Sequence, residues 1–313
     1  MNTILPVISS ILLVMLLGYG LSKKFFTDPS FWQGISKLSY WVFFPVLIVR
    51  TLANATINAE LLFPLFAIFT TALIVIWVYC VVVARLMGQD GASTASIVQG
   101  GMRHNGFIGL AVLVDMFGLP GQELGAVIIA VLVPFTNILS VFSVSVLVNK
   151  KNNQPLGALI LKELLRNPML ISVAIGLLLN TFAISIPSIL DQSMALLGRA
   201  ALPLLLLSVG ASLNIRALKG NWLPLMAALS TKLLVFPALF LGGALWFNLP
   251  PLVTVCLVVF GALPTAVSAY PLIQQMGGNA KLMADIITLQ TLASLVGLTF
   301  WASLAIHITG LTV

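Results

Sequence analysis

Residues 98–110 read VQGGMRHNGFIGL, and this interrupted apolar run is the stretch that decides the fold. Its middle holds three polar residues, Arg103, His104 and Asn105. The glycines that bracket them are Gly100, Gly101, Gly106 and Gly109. Because a glycine weakens a helix by about 1 kcal/mol, the run predicts a helix that breaks inside an apolar segment.

A second interrupted run lies at residues 259–271, VFGALPTAVSAYP. The residues that interrupt it are Gly261, Pro264, Thr265, Ser268 and Pro271. Proline costs a helix about 3 kcal/mol and leaves a carbonyl without its usual donor. Unpaired backbone groups are tolerated in a bilayer only where protein or a water-filled cavity covers them. Two such breaks indicate a binding site, although glycine and proline are also common in ordinary, closely packed membrane helices.

The composition around these runs is typical of a membrane protein. Hydrophobic residues make up 60% of the 313 residues and charged residues 7%, whereas a soluble domain carries about 25% charged residues. At roughly 20 residues per crossing, the chain accommodates about ten transmembrane helices. The formal charge of +7 then predicts basic loops at the cytoplasmic membrane face, with membrane lipid as a partner and no nucleic acid.

Ten apolar runs have the length that a transmembrane helix needs. They lie at residues 3–22, 31–53, 61–85, 93–115, 122–149, 168–184, 192–213, 222–246, 251–275 and 282–306. The longest loop, residues 150–167, contains LGALILKELLRN, which predicts a short amphipathic helix on the membrane surface. Cys80 and Cys256 lie inside apolar runs, which favours packing over a disulfide. The sequence contains no metal-ligand spacing and no nucleotide-binding motif, so we expect no cofactor.

The loop charges predict the orientation of the spans. Lysine and arginine occur in the loops after spans 1, 3, 5, 7 and 9, and not in the alternate loops or the termini. These basic residues are Lys23, Lys24, Arg85, Lys150, Lys151, Lys162, Arg166, Arg216, Lys219 and Lys281. Since cytoplasmic loops carry the excess of basic residues, we expect a multi-pass protein of the cytoplasmic membrane with both termini outside and loop 150–167 in the cytoplasm.

The chain also resembles itself at a distance of about 160 residues. The matched residues are Asn54 with Asn214, Pro64 with Pro224, Gly101 with Gly261, Pro45 with Pro203, and Leu124 with Leu282. Each half holds five spans, so the second half would insert upside down relative to the first, as in many secondary carriers. The predicted fold is an all-α integral membrane protein of ten transmembrane helices in two inverted five-helix repeats, with helices 4 and 9 broken. The repeats are residues 1–149 and 168–313, joined by the linker 150–167.

Arg103 is the most informative residue because it falls near the middle of its span. An arginine there costs at least about 2.5–3.5 kcal/mol, and it can pair in a bidentate manner with a carboxylate. Helix N-termini at the breaks would add free amides and positive dipole ends. These features favour a small organic anion as the substrate. The alternative is that Arg103 pairs with an acidic residue of the protein, either Asp115 or Asp285.

The neighbours of Arg103 are candidate substrate-binding residues. Asn105 offers two donors and one acceptor, next to backbone that Gly106 loosens, so it is the best candidate for a direct contact. His104 can titrate near neutral pH and couple transport to protons. It can equally be a neutral residue whose hydrogen bonds are satisfied.

Other candidates lie in spans that would surround the same cavity. Lys232 in span 8 is either a second positive group of the site or the partner of an acid. Asn137 in span 5 and Gln290 in span 10 either line the cavity or form interhelical hydrogen bonds, which contribute about 0.6 kcal/mol each. Three further basic residues lie nearer span ends and can extend to the membrane surface, namely Lys37, Arg50 and Arg199.

At these residues the chain resembles the auxin efflux carrier family, which includes plant auxin exporters and bacterial malonate-type permeases. The similarity lies in the N-x-x-x-G-L pattern from Asn105 to Leu110 and in LPTAVSAYPLIQQMGGNAKLMADIITLQTLASL at residues 263–295. The resemblance implies a scaffold of spans 1, 2, 6 and 7 and a transport domain of spans 3 to 5 and 8 to 10. It also implies that spans 4 and 9 cross at their breaks beside the substrate, that the protein is a homodimer, and that it moves like an elevator.

The chain departs from the family pattern in two places. Many members have a proline after the Gly-Leu pair of span 4, where this chain has Ala111, so its break relies on glycine. The long hydrophilic central loop of many plant exporters is absent. This absence argues against regulation through that loop and weakens the case for auxin itself as the substrate.

The predicted function is a secondary carrier, by resemblance an efflux carrier, for a small organic anion such as a carboxylate. A sodium-coupled organic-anion symporter of the bile-acid type is the first alternative, because Thr265, Ser268 and free carbonyls can supply oxygen ligands. A channel is a second alternative, which saturation and counterflow would separate from a carrier. An intramembrane enzyme lacks support, since neither an H-E-x-x-H nor a G-x-S-x-G motif occurs.

Overall fold

A computed structural model describes residues 4–148, 156–213 and 222–312. These residues are helical apart from short connections and contain no β-strand. We number the helices in chain order. Their bounds are Ile4–Lys24 (α1), Pro29–Asn54 (α2), Ala59–Leu86 (α3), Gly91–Met102 (α4), Gly106–Val148 (α5), Leu156–Arg166 (α6), Pro168–Thr181 (α7), Ser188–Ala211 (α8), Trp222–Trp246 (α9), Pro251–Gly261 (α10), Ala269–Met276 (α11) and Ala280–Thr309 (α12). A π-helical turn interrupts α2 at Ser39–Phe43 and α9 at Thr231–Val235.

The all-helical membrane fold expected from the composition is confirmed. Within the described residues, seven helical stretches are long and apolar enough to cross a membrane, or eight if α6 and α7, which meet at 66°, form one span. The sequence predicts a short helix within the linker, and α6 lies there. Five residues used in the charge and repeat arguments lie outside the described part of the chain: Lys150, Lys151, Asn214, Arg216 and Lys219.

The α5 segment is a hairpin and not one straight helix. Its 43 residues would measure about 65 Å, against about 30 Å for the apolar part of a bilayer. Gly118 breaks it with φ 60° and ψ −137°, a conformation that glycine adopts easily. The chain reverses direction at Gly118. The reversal brings Gly121 so close to the Leu113 carbonyl oxygen that a side chain on Gly121 would collide with it. The two arms, residues 106–117 and 119–148, therefore lie side by side.

Polar residues cap several of the helices at their N-terminal ends. Asp90 accepts the N–H of Ser93 at 2.7 Å and caps α4. Asn58, Asn167 and Asn279 cap α3, α7 and α12 in the same way. Such caps contribute about 0.5–2 kcal/mol each, so they fix where each apolar helix begins after its loop.

The helices pack in two groups. In the first group, α2 lies along α7 and α1 lies along α8. Glycines permit the second contact, since a side chain on Gly18 would collide with the Leu207 carbonyl and one on Gly210 with the Met15 carbonyl. The second group contains α3, α4, α5 and α9 to α12, with the almost completely buried helices α4 and α10 at its centre.

Helix boundaries recur at the spacing of the predicted repeat. α4 begins at Gly91 and α10 at Pro251, which are 160 residues apart. The connections before them share that spacing at Gly88 and Asn248, both in the left-handed region with φ of 68° and 49°. The recurrence places the two helix breaks, after α4 and after α10, at corresponding points of the chain.

Candidate substrate site

The two helix breaks predicted from the sequence are present and meet. Residues 103–105, between α4 and α5, and residues 262–268, between α10 and α11, are not helical. The backbone N–H of Asn105 donates to the carbonyl oxygen of Pro264 at 2.8 Å. This hydrogen bond joins the two non-helical segments directly. It gives a partner to one backbone N–H and one carbonyl that have none within their own broken helix.

Thr265 and Gln290 hold this crossing together. The Thr265 hydroxyl lies 2.6 Å from both the Gly100 carbonyl oxygen and Gln290 Oε1, and it donates its hydrogen to one of them. The Thr265 N–H donates to Gln290 Oε1 at 3.1 Å. Gln290 Nε2 donates to the carbonyl oxygens of Gly100 at 3.0 Å and Ala228 at 2.8 Å. Both side chains are fully buried, so the structure shows them in interhelical hydrogen bonds.

A cavity of about 70 Å³ lies beside this crossing. The predicted residues that line it are Arg103, His104, Asn105, Gly106, Asn137 and Ser268. Arg103 Nη2 donates to Asn137 Oδ1 at 3.1 Å. This bond to the second arm of α5 holds the guanidinium at the cavity wall.

Arg103 forms no salt bridge in the parts of the chain that the structure describes, although Glu163 of α6 acts on it electrostatically from a greater distance. Asp115, one of the two predicted alternatives, accepts a hydrogen bond from Ser10 Oγ at 3.1 Å. Asp285, the other, lies next to Lys281 on α12. An anion in the cavity would supply the negative partner that Arg103 lacks.

Asn105 uses one end of its side chain and leaves the other free. Its Oδ1 accepts the N–H of Ile108 at 3.3 Å and caps the first turn of α5. Its Nδ2 is buried and has no hydrogen-bond partner within the described residues. A buried donor without a partner costs about 1–3 kcal/mol. Because Asn105 lines the cavity, this donor indicates a ligand that accepts a hydrogen bond.

Two helix N-termini face the same cavity. Gly106 and Phe107 at the start of α5 line it, and so does Ser268, which directly precedes α11. A helix N-terminus carries roughly half a positive charge, which favours an anion. At α11 the N–H groups of Ala269 and Tyr270 already donate to the Ala266 and Val267 carbonyl oxygens, so this end contributes its dipole. Together with Arg103, the two helix ends make the cavity favourable for negative charge.

The small cavity adjoins a larger one of about 380 Å³. Tyr40, Arg103 and Ser268 are among the residues that line both. Two charged residues line the larger cavity only, Lys37 of α2 and Glu163 of α6. Its walls come from both helix groups, and its volume is in the range of a few hundred Å³ that small-molecule sites occupy.

His104 and Lys232 lie on the side of the crossing that faces α9. The His104 ring packs against Phe236 and Phe240, with centroid distances of 4.6 and 6.3 Å. Lys232, in the π-helical turn of α9, is fully buried, and its Nζ lies 4.6 Å from the centroid of the Phe236 ring. Neither His104 nitrogen nor the Lys232 amine has a hydrogen-bond partner among the described residues.

The remaining predicted break residues lie at close contacts between helices. A side chain on Gly101 would meet Cys80 of α3, and one on Gly109, inside α5, would meet the end of α10. Gly261 ends α10 against α9. Pro271 lies in the first turn of α11 and lines the larger cavity. The glycines near the breaks therefore both weaken the helices and let neighbouring helices pack closely against them.

Sequence reasoning missed several polar residues of the site. Tyr40 Oη donates to Asn167 Oδ1 at 3.4 Å, and both residues line both cavities. Tyr40 lies in a π-helical turn, which has no sequence signature, while the Asn-Pro pair at Asn167 indicates only a helix start. Glu163 belongs to an amphipathic helix that predicts a surface position. Arg50, predicted to extend to the membrane surface, instead pairs with Asp191 at 2.8 and 3.1 Å.

A helical membrane protein with two broken helices that meet at a polar cavity has the construction of a transporter. The family model described as Membrane transport protein matches residues 3–302. The chain belongs to this family of membrane transporters, the auxin efflux carrier family, as its residues predict. It is 25% identical over 297 residues to an uncharacterized transporter of Methanothermobacter thermautotrophicus, covering 94% of this chain and 95% of that protein. It is also 25% identical over 317 residues to an uncharacterized transporter of Methanocaldococcus jannaschii, covering 95% and 97%.

Proposed function

We propose that the chain is a secondary carrier that moves a small organic anion, specifically a carboxylate, through the cavity at the two helix breaks. One observation carries this proposal: the Arg103 guanidinium, the unpartnered Nδ2 of Asn105 and two helix N-termini converge on one cavity. Arginine can donate two parallel hydrogen bonds to a carboxylate, and the amide can donate one more. Within the described residues no carboxylate of the protein forms a salt bridge with Arg103.

The proposed architecture is ten transmembrane helices in two inverted repeats. α4 and the first arm of α5 would form span 4, and α10 and α11 would form span 9. The turn at Gly118 separates spans 4 and 5, and the recurrence of helix starts at Gly91 and Pro251 supports the repeat. Carriers with this plan bind substrate where the broken helices of the two repeats meet.

The proposed orientation has the larger cavity opening to the cytoplasm. Glu163 lines that cavity and lies on α6, which also carries Lys162 and Arg166. Basic residues accumulate on the cytoplasmic side of membrane proteins. The structure would then represent the conformation that exchanges substrate with the cytoplasm.

Hydrogen bonds join the two helix groups near the Gly118 turn, beside a separate cavity of about 550 Å³ that Ser10, Asp115 and Gln122 line. Ser10 of α1 donates to Asp115 of α5 at 3.1 Å, and Gln122 of α5 donates to Thr51 of α2 at 2.6 Å. An elevator-type movement of the second group against the first would break these bonds and carry the cavity across the membrane. Export as the direction and a homodimer joined through the first group rest on the family resemblance.

The proposal is tested by ligand-dependent stabilisation of the purified protein. The chain has two cysteines, Cys80 and Cys256, and both are fully buried and free, so a thiol-reactive fluorescent dye reports unfolding. A ligand at a hundredfold excess over its Kd stabilises the folded state by about 2.7 kcal/mol. We expect malonate or a similar carboxylate to raise the melting temperature, and amines and sugars to leave it unchanged. The same panel in sodium and in choline buffer separates this proposal from a sodium-coupled symporter.

Variants of cavity residues test whether the carboxylate that raises the melting temperature binds in the cavity. Asn105→Asp keeps an oxygen for the α5 cap but replaces the free donor with a negative charge, so the carboxylate shift should disappear. Arg103→Gln should weaken binding by about 10- to 100-fold, since hydrogen bonds to charged groups contribute about 1.5–3 kcal/mol. Arg85→Gln is the control, because Arg85 is exposed and lines neither cavity. An unchanged carboxylate shift in Asn105→Asp, or shifts with amines alone, would refute the proposal.

A further inference from the structure

The binding step leaves two buried basic side chains without a role. Lys232 has 0% exposure, and its amine lies over the Phe236 ring without a hydrogen-bond partner in the described residues. His104 lines the cavity, and its ring contacts the same Phe236 ring, with centroids 4.6 Å apart. The two basic groups thus contact one aromatic side chain, and of the two it is His104 that lines the cavity.

Such an arrangement is costly unless function requires it. A charged group in the membrane interior is expensive and is normally paired or turned toward a water-filled cavity. A buried polar group without a hydrogen bond costs free energy even when it is uncharged. Leucine or methionine at position 232 would remove that cost, so packing alone does not account for Lys232.

In the described part of the chain, the surroundings of the pair contain no carboxylate that would neutralise it. Cys80 of α3 faces the Lys232 amine, and His104 faces it from the break. α4 carries no charged residue. On α12, Asp285 lies next to Lys281 instead. Among the described residues, the pair therefore has no fixed negative partner, and the site proposed for a mobile negative charge is adjacent to His104.

We propose that His104 and Lys232 form a proton-accepting pair that takes up one proton when an anion enters the cavity, so that the carrier moves its anion together with a proton. This inference rests on the proposed function. The proton comes from water in the cavity and binds the free electron pair of a His104 nitrogen or, through it, of the Lys232 amine. The Coulomb attraction of the bound anion favours this protonated form. When the anion leaves on the other side, the proton returns to water there.

Linkage makes the effect reciprocal: if anion binding favours protonation, then protonation must favour anion binding by the same factor. With one proton taken up per anion, Kd should rise about tenfold for each pH unit above the range in which the pair is protonated. The probe is malonate between pH 7 and 9, where its carboxyl groups are ionised. Titration calorimetry in buffers of different ionisation enthalpy counts the protons taken up.

The matched variants are His104→Gln, which keeps a polar side chain, and Lys232→Met, which keeps the length without the amine. We expect about one proton per malonate in the wild-type protein, and loss of this uptake with a flat pH profile in the double variant. Lys24→Met, at an exposed lysine at the end of α1, should retain the wild-type uptake.

Four outcomes decide between the possibilities. Proton uptake that disappears in the double variant supports the pair. Malonate binding without uptake in the wild-type protein refutes the coupling while the anion site stands, and this holds even where a variant fails to fold. Uptake that persists in the double variant assigns the proton to other groups and overturns the inference. If no carboxylate binds at any pH, both the coupling and the proposed function fall.

Discussion

Replacing Gln290 with leucine is expected to loosen the crossing of the two helix breaks and to destabilise the protein. Leucine fills a similar volume but removes four hydrogen-bonding contacts, two with Thr265 and one each with Gly100 and Ala228. Because the Thr265 hydroxyl donates to only one of its two acceptors, three or four bonds are lost, which is about 1.8–2.4 kcal/mol at about 0.6 kcal/mol for each bond between membrane helices. At the roughly 2–4 °C per kcal/mol that holds for domains of about 150–250 residues, the melting temperature should fall by about 4–10 °C.

The assay for Gln290→Leu is thiol-dye melting in detergent, which the two buried cysteines make possible. Gln274→Leu is the matched control, because Gln274 is exposed on α11 and surface substitutions usually stay within about 0.5 kcal/mol. Equal melting temperatures for the two variants would refute the argument. They would mean that the backbone bond between Asn105 and Pro264, and not the glutamine, holds the breaks together.

Two further predictions concern helix packing and capping. Gly18→Ala should destabilise the protein by about 1–3 kcal/mol, because the added methyl group would collide with the Leu207 carbonyl. Gly20→Ala, with open space around it, should be neutral or stabilising, and equal melting temperatures for the two would refute the proposed contact of α1 with α8. Asp90→Ala should cost about 0.5–2 kcal/mol at neutral pH. The N–H of Ser93 lowers the pKa of the Asp90 carboxyl, so the cap contributes above the unfolded pKa of about 3.9 and is lost as pH falls through the lower folded pKa. Melting curves of the wild type and Asp90→Ala should converge in acid, and a constant difference would contradict this.

The helix breaks could be predicted because they depend on local chemistry. Glycine and proline weaken a helix through their own backbone, and the breaks fall between Gly101 and Gly106 and around Pro264. The caps at Asp90 and Asn279 also depend on local chemistry, since both residue types are typical N-caps before apolar runs. The family followed from the same residues, and the match over residues 3–302 confirms it.

The roles of individual polar side chains could not be predicted, because they depend on how each helix is rotated about its axis. Gln290 and Asn137 had the same two interpretations, cavity lining or interhelical hydrogen bond. The structure shows Gln290 buried in the crossing and Asn137 at the cavity, bonded to Arg103. The π-helical turns of α2 and α9 add a further change of rotation that leaves no sequence signature. They help to explain why Tyr40 was missed and why the surroundings of Lys232 could not be foreseen.

The most direct test of the account is counterflow of malonate in vesicles that contain the purified protein. We expect vesicles loaded with unlabelled malonate to accumulate labelled malonate transiently, with a rate that saturates, because a carrier exchanges substrate through one site. Asn105→Asp should abolish this accumulation while the protein remains folded. A flux that does not saturate and shows no counterflow, or wild-type counterflow by Asn105→Asp, would contradict the claim that this chain is an organic-anion carrier whose site lies at the two helix breaks.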